Sequence, residues 1–148
     1  MENEKEKCIF CSIVAGEIQS HKIYEDQKFI AMLDIFPVTP GHTVVFAKKH
    51  YDSFFKMPDM DRIQLFETVK KVADALMKGL DVDSFNIMIF EGKHSNKTIV
   101  HDPHVHIIPR YPNDGINMNP PRSRYAEGQI EQIYRKVARY LKGEIGWK

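Results

Sequence analysis

Apolar residues recur along this chain with two periods, and the change from one to the other marks out its elements. Short apolar runs at 23–26, 29–34, 42–47 and 85–90 are rich in β-branched and aromatic residues and bounded by polar or Gly/Pro punctuation, as strands are. A fifth run, 97–108, carries alternating histidines and apolar residues. Between the third and fourth strands the spacing changes. Leu65, Val69, Val72 and Leu76, widened by Phe66 and Ala73, form one helical stripe that predicts a helix over 60–78, with Asp59 at its start and Gly79 at its end. Ile130, Ile133, Tyr134, Val137 and Leu141 predict a second helix over about 127–141, with Gly143 beyond it. Residues 8–13 read as a helical turn ended by Gly16.

Punctuation accounts for the rest. Pro37, Pro40 and Gly41 keep 35–41 irregular, and residues 111–125, rich in Pro, Asn and Gly, read as a loop. Hairpin-like strand pairs around one long helix give an α+β class: an antiparallel five-stranded sheet with a long central helix and a C-terminal helix. The 148 residues are expected to form a single domain, 1–148, with a charged tail at 1–7 and a C-terminal helix and tail at 126–148.

Charge narrows the partners. Lys and Arg total 21 against 20 Asp and Glu, a net charge of +1, so no global field announces a nucleic acid. Residues 1–7 lack the apolar core of a secretory signal, and no apolar run approaches the roughly 20 residues of a membrane span. A cytoplasmic protein with no membrane partner is expected.

Chemistry concentrates in His101-Asp102-Pro103-His104-Val105-His106-Ile107-Ile108-Pro109-Arg110, which holds three of the seven histidines. On a regular strand His104 and His106 face the same side, about 7 Å apart at their α-carbons, where they suit a shared metal or a shared phosphate. The two cysteines, Cys8 and Cys11, form Cys-Ile-Phe-Cys. A disulfide there would staple almost nothing, and a redox motif would sit in a βαβ unit that this pattern lacks. A metal half-site is the better reading, and two thiolates need two more ligands.

These blocks resemble the histidine triad (HIT) family of nucleotidyl hydrolases and transferases. His104 to Arg110 resembles its signature, and residues 8–18 resemble the opening of the zinc-carrying branch. Leu33-Asp34-Ile35, Thr39-Pro40-Gly41-His42-Thr43 and Lys48-Lys49-His50 match its middle, in the family's order and spacing. The resemblance implies two protomers paired into one continuous sheet as a homodimer. It implies a structural zinc on Cys8, Cys11, His50 and His101, a closed Cys2His2 set. It also implies that His104 attacks the α-phosphorus of a nucleotide and forms a nucleotidyl-histidine, with His106 and Thr98 supplying donors to the developing charge and His106 also able to assist proton delivery to the leaving group. Asp34 would accept from the ribose hydroxyls, and Phe10, Leu33 and Ile35 would wall the purine. His42 is read as a partner behind the site or as packing, and His21 and His94 as solvent-facing.

The chain departs from the family at three places. The triad reads His-x-x-His-x-His, so either Asp102-Pro103 forms a bulge, which keeps His101 for the metal, or Asp102 replaces the first histidine. Lys97 stands where the family usually has Gln, and could meet a phosphate through its charge. Phe90 stands where many members have a phosphate-contacting Asn. The expected activity is hydrolysis of purine nucleotide conjugates, phosphoramidates or dinucleoside polyphosphates. The rival reading is a zinc-clipped nucleotide-binding or scaffolding module with an inactive triad. A third reading makes His101, His104 and His106 a hydrolytic metal centre.

Overall fold

A computed structural model describes residues 8–95 and 103–141. The chain divides into two units, Met1–Asp114 and Gly115–Lys148. The first holds α1 (Ile9–Val14), β1 (Lys22–Glu25), β2 (Phe29–Leu33), β3 (Thr43–Ala47), α2 (Asp59–Leu80), β4 (Ser84–Ile89) and β5 (His104–Arg110). The second holds α3 (Gln129–Ala138), whose left-handed Gly128 (φ 70°) sits at its N-cap.

The five strands form one sheet in the order β1-β2-β3-β5-β4, with every neighbour antiparallel. The α+β class, the five antiparallel strands and the long central helix are therefore as the hydrophobic pattern predicts. β5 lies inside the sheet, with Phe46 and Val44 of β3 opposite His104 and His106, and Met88 of β4 also opposite His106. β1 and β4 are the edges.

Strand alternation divides the core into two layers. Phe29, Ala31, Val45, Ala47, Val105 and Ile107 face α2 and pack against Leu65, Val69, Val72, Ala73 and Leu76, the stripe read from the sequence. Ile30, Val44 and Phe46 face the other way, onto Phe10 and Ile13 of α1 and Cys8 before it. Each of these large apolar side chains contributes about 1.5–3 kcal/mol by leaving water. Most of the fold's stability therefore sits in the α2 layer, and α1 rides on the opposite face, where the histidines are.

The ends of α2 differ from expectation. Asp59 does not cap the helix: Pro58 holds the N-cap position in extended geometry, and Asp59 and Asp61 lie in the first turn, where carboxylates face the positive end of the dipole. Gly79 does not end it either. The helix runs to Leu80 and stops at Asp81, which takes the left-handed conformation (φ 54°, ψ 47°) that short polar side chains tolerate. Phe54–Lys56, unassigned from the sequence, form a 3-10 turn that Ser53 caps through its hydroxyl. The predicted strand residues 97–102, the positions of Lys97, Thr98, His101 and Asp102, and the tail from 142 lie outside the described residues. The described β5 begins directly after the buried Pro103.

Candidate functional site

Because β5 alternates, Val105 and Ile107 go to the α2 layer, and His104 and His106 emerge together on the α1 face. Their rings stand edge to face with centroids 4.9 Å apart. His104 is only 6% exposed, and the ring of Phe10, itself stacked on Phe46 at 4.3 Å, lies 4.9 Å from it. Phe10 is 2% exposed, so it backs the His104 imidazole and presents little open surface to a ligand.

The β2–β3 connection supplies the other side. Asp34 leaves β2 with its N–H on the carbonyl of His42 at 2.9 Å, which closes the loop as a neck. The Asp34 Oδ1 accepts from the Phe36 N–H at 2.9 Å, so one oxygen shapes the turn, while Oδ2 lies 3.8 Å from His42 Nε2. Two hydrogen bonds pin this loop to the end of β5. The Thr39 hydroxyl donates to the Pro109 carbonyl at 2.6 Å, and the Tyr111 hydroxyl donates to the Pro40 carbonyl at 2.7 Å. Gly41 makes the return possible: its φ is +86°, and a Cβ there would come within 2.4 Å of Leu80 Cδ1.

His42 then meets His106. The backbone N–H of Val38 donates to His42 Nδ1 at 3.1 Å. A neutral His42 whose Nδ1 accepts has its proton on Nε2, and Nε2 lies 2.9 Å from His106 Nδ1. His106 Nδ1 is thereby an acceptor, and its own proton sits on Nε2. The tautomers of both rings follow from one backbone donor. Burial is the main cause that holds both rings neutral. It lowers the pKa of His42 against the opposing pull of Asp34. It lowers that of His106, with help from His104 and His42 and against Asp34, to about 4. Phe90 stands edge-on to His106 at 5.6 Å and closes that side with hydrocarbon.

Among the other nucleotide-site residues read from the sequence, Ile35 is 73% exposed beside Asp34 and open to a ligand. Leu33 is not brought to this face. Alternation along β2 sends it with Phe29 and Ala31 to the helix side, where it lines a groove with Ile23, Leu76 and Leu80, and Met32 takes the histidine side. The signal was available: counting by two from Phe29 separates Leu33 from Met32. Nothing in the sequence marks Val38, whose contribution is a backbone N–H.

A second cluster lies at the start of the chain. The ligand atoms of Cys8, Cys11 and His50 all lie within 4.8 Å of one another, with Cys11 Sγ 3.3 Å from His50 Nδ1. On the far side of the imidazole, Nε2 lies 3.4 Å from Asp52 Oδ1. Two thiols and an imidazole nitrogen converging, with a carboxylate behind the ring, fit the donor set and outer support of a tetrahedral zinc site. Cys8, Cys11 and His50 would hold the metal. Asp34, His42 and His106 also offer three ligand atoms within 4.8 Å, but the short His42–His106 separation is that of a hydrogen bond.

The family model of the HIT domain matches residues 15–113. A HIT-like protein of Methanocaldococcus jannaschii is 44% identical over 108 residues, 73% of this chain and 82% of that protein. Adenylylsulfatase HINT3 of Arabidopsis thaliana is 30% identical over 137 residues, 90% of this chain and 69% of that protein. Among solved structures, a HIT family protein from Bacillus anthracis superposes with a TM-score of 0.79 at 33% identity, covering 93% of this chain and 99% of that one. A zinc-bound histidine triad family protein from Mycobacterium smegmatis does so with a TM-score of 0.71 at 31% identity, covering 95% and 99%. The chain belongs to the HIT family, whose members are in general nucleotide hydrolases and transferases.

Proposed function

We propose that this protein is a nucleotidyl hydrolase or transferase that acts at the α-phosphate of purine nucleotide conjugates, phosphoramidates or dinucleoside polyphosphates, through a nucleotidyl-histidine on His104. The observation that carries this reading is the setting of His104, clamped between the Phe10 ring and the His106 ring on an interior strand. A nucleophile that is already oriented loses little entropy on reaching the in-line position. His106, with its proton fixed on Nε2, is a ready donor to the oxygens that gain charge. Thr98 and Lys97 would add a hydroxyl and a cation to the same phosphate. Asp34 keeps Oδ2 for the ribose hydroxyls, and Ile35 offers an open apolar surface to the base.

Zinc on Cys8, Cys11, His50 and His101 would brace α1, and with it Phe10, against the catalytic strand. A second copy would pair along β4, an edge strand whose Ile87 is 44% exposed. Among the described residues no helix is long and apolar enough to cross a membrane. A cytoplasmic enzyme without nucleic-acid partners is the corresponding setting.

The test is incubation with a nucleoside phosphoramidate and a dinucleoside polyphosphate, acid-free quenching and intact-mass analysis. A covalent nucleotidyl adduct on the native chain and its loss in His104→Ala support the reading. Full turnover by His104→Ala overturns it. Phe90, which replaces a polar phosphate contact with a ring, favours a second reading, a zinc-clipped nucleotide-binding module. That reading predicts nucleotide binding with neither adduct nor turnover.

A further inference from the structure

We propose that Cys8 and Cys11 are an oxidation site that governs His104. A peroxide joins the two sulfurs as a disulfide, the tie through the metal to His50 is lost, and the support that Phe10 gives the His104 ring loosens. The inference goes beyond the proposed activity and rests on it only for its last step, the part played by His104.

The link is short because Phe10 stands between the two cysteines, in Cys8-Ile9-Phe10-Cys11, with its ring 4.9 Å from that of His104. The Ser12 N–H donates to the Cys8 carbonyl at 3.1 Å, so Cys8 opens the first turn of α1 and Cys11 lies at its close. Positions three apart on a helix have α-carbons about 5 Å apart, inside the roughly 4.4–6.8 Å that a disulfide spans. The two sulfurs already lie within 4.8 Å of each other. Closure therefore needs side-chain rotation and little backbone movement. Cys11 Sγ is also 3.3 Å from His50 Nδ1, and His50 follows β3, so this cluster joins α1 to the sheet. With six residues α1 is too short to persist as a helix unaided. Apart from the cluster, it is held by burial of Phe10 and Ile13 against Ile30, Val44 and Phe46. Loss of the tie to His50 leaves only that apolar contact to fix the Phe10 ring.

Exposure sets the order of the steps. Cys8 is buried and Cys11 only partly so, and oxidation begins where the oxidant can reach. The Cys11 sulfur attacks one oxygen of hydrogen peroxide, the O–O bond breaks, and a sulfenic acid and one water result. The Cys8 sulfur then attacks the Cys11 sulfur, an S–S bond forms, and the sulfenic oxygen leaves as a second water. In sum the two thiols lose two hydrogens and two electrons, and the peroxide is reduced to two waters. Sulfurs bonded to each other no longer serve as thiolate ligands, so the cluster gives up its ion. A disulfide that closes so short a loop adds little stability, and a dithiol reopens it by exchange.

The experiment treats the full, zinc-loaded chain with hydrogen peroxide beside a chromogenic zinc indicator, and follows intact mass, peptide maps and single-turnover adduct formation. The expected product is lighter by two hydrogens, with Cys8 joined to Cys11, and has released its zinc. Adduct formation on His104 is expected to slow by up to about 100-fold, the scale of a misplaced reacting group. Dithiothreitol with added zinc should restore both metal and rate. Oxidation without the Cys8–Cys11 disulfide overturns the inference, as does a disulfide that leaves the zinc bound or the adduct rate unchanged. Cys8→Ser is expected to show no dithiol-reversible change with peroxide, and such a change there overturns it as well. A reduced native chain that forms no adduct overturns the nucleophile and with it the last step, while the disulfide and zinc readouts decide the oxidation site by themselves.

Discussion

The ring of Phe10, on α1, lies 4.9 Å from the ring of His104, on β5, and the same Phe10 stacks on Phe46 of β3 at 4.3 Å. One side chain from the beginning of the chain thereby sets the orientation of an imidazole near its far end. Replacing Phe10 by Leu keeps most of the buried volume and is expected to destabilise by about 1 kcal/mol. Replacing it by Ala should cost about 3–5 kcal/mol. Because the flat support is lost in both, adduct formation on His104 should slow in Phe10→Leu far more than its stability falls. Denaturant melts beside single-turnover rates separate the two effects.

Zinc should stabilise without reacting. A ligand present at about a thousand times its dissociation constant adds about 4 kcal/mol to a folded state that alone binds it. Purified protein is expected to hold one zinc per chain and to lose thermal stability in a strong chelator. Cys11→Ser should lose both the metal and the chelator sensitivity. His104→Ala should keep one zinc, and metal analysis of that variant also decides against a centre on His101, His104 and His106.

Acid should weaken the fold through His106. Its pKa is about 4 in the fold, below the ordinary imidazole value near 6.5, so the unfolded chain takes up the proton first. The contribution is complete above pH 6.5 and is lost as pH falls from there towards 4. Each unit is worth about 1.4 kcal/mol, and partial exposure of the ring reduces the total to about 2 kcal/mol. Urea midpoints at pH 7, 5.5 and 4.5 measure this. His106→Asn should show a shallower decline than the native chain.

Gly41 should resist substitution. Its φ of +86° strains any L side chain placed there, and a Cβ would also displace the Leu80 side chain, 2.4 Å away, so Gly41→Ala is expected to strain the loop holding Val38 and His42. A loss of more than 1 kcal/mol is expected. Gly79, where a Cβ meets nothing within 4 Å, should gain stability as Gly79→Ala. The pair of thermal melts is its own control.

Much was legible in the order of residues alone. The α2 stripe, the strand runs and the alternation of His104, Val105 and His106 are local patterns, because the 3.6 and 2.0 periods are properties of the backbone and hold before any packing occurs. The same periodicity places Leu33 opposite Met32. Tertiary structure alone decided which distant groups meet. Cys11 and His50 are 39 residues apart, and His42 and His106 are 64 apart, and neither pair carries a local signal of the other. The tautomer of His106 depends on a backbone N–H of Val38, and a main-chain donor has no letter in a sequence. Side-chain identity set what each residue can donate or accept. Only the folding of β3 against β5 determined which proton each ring keeps.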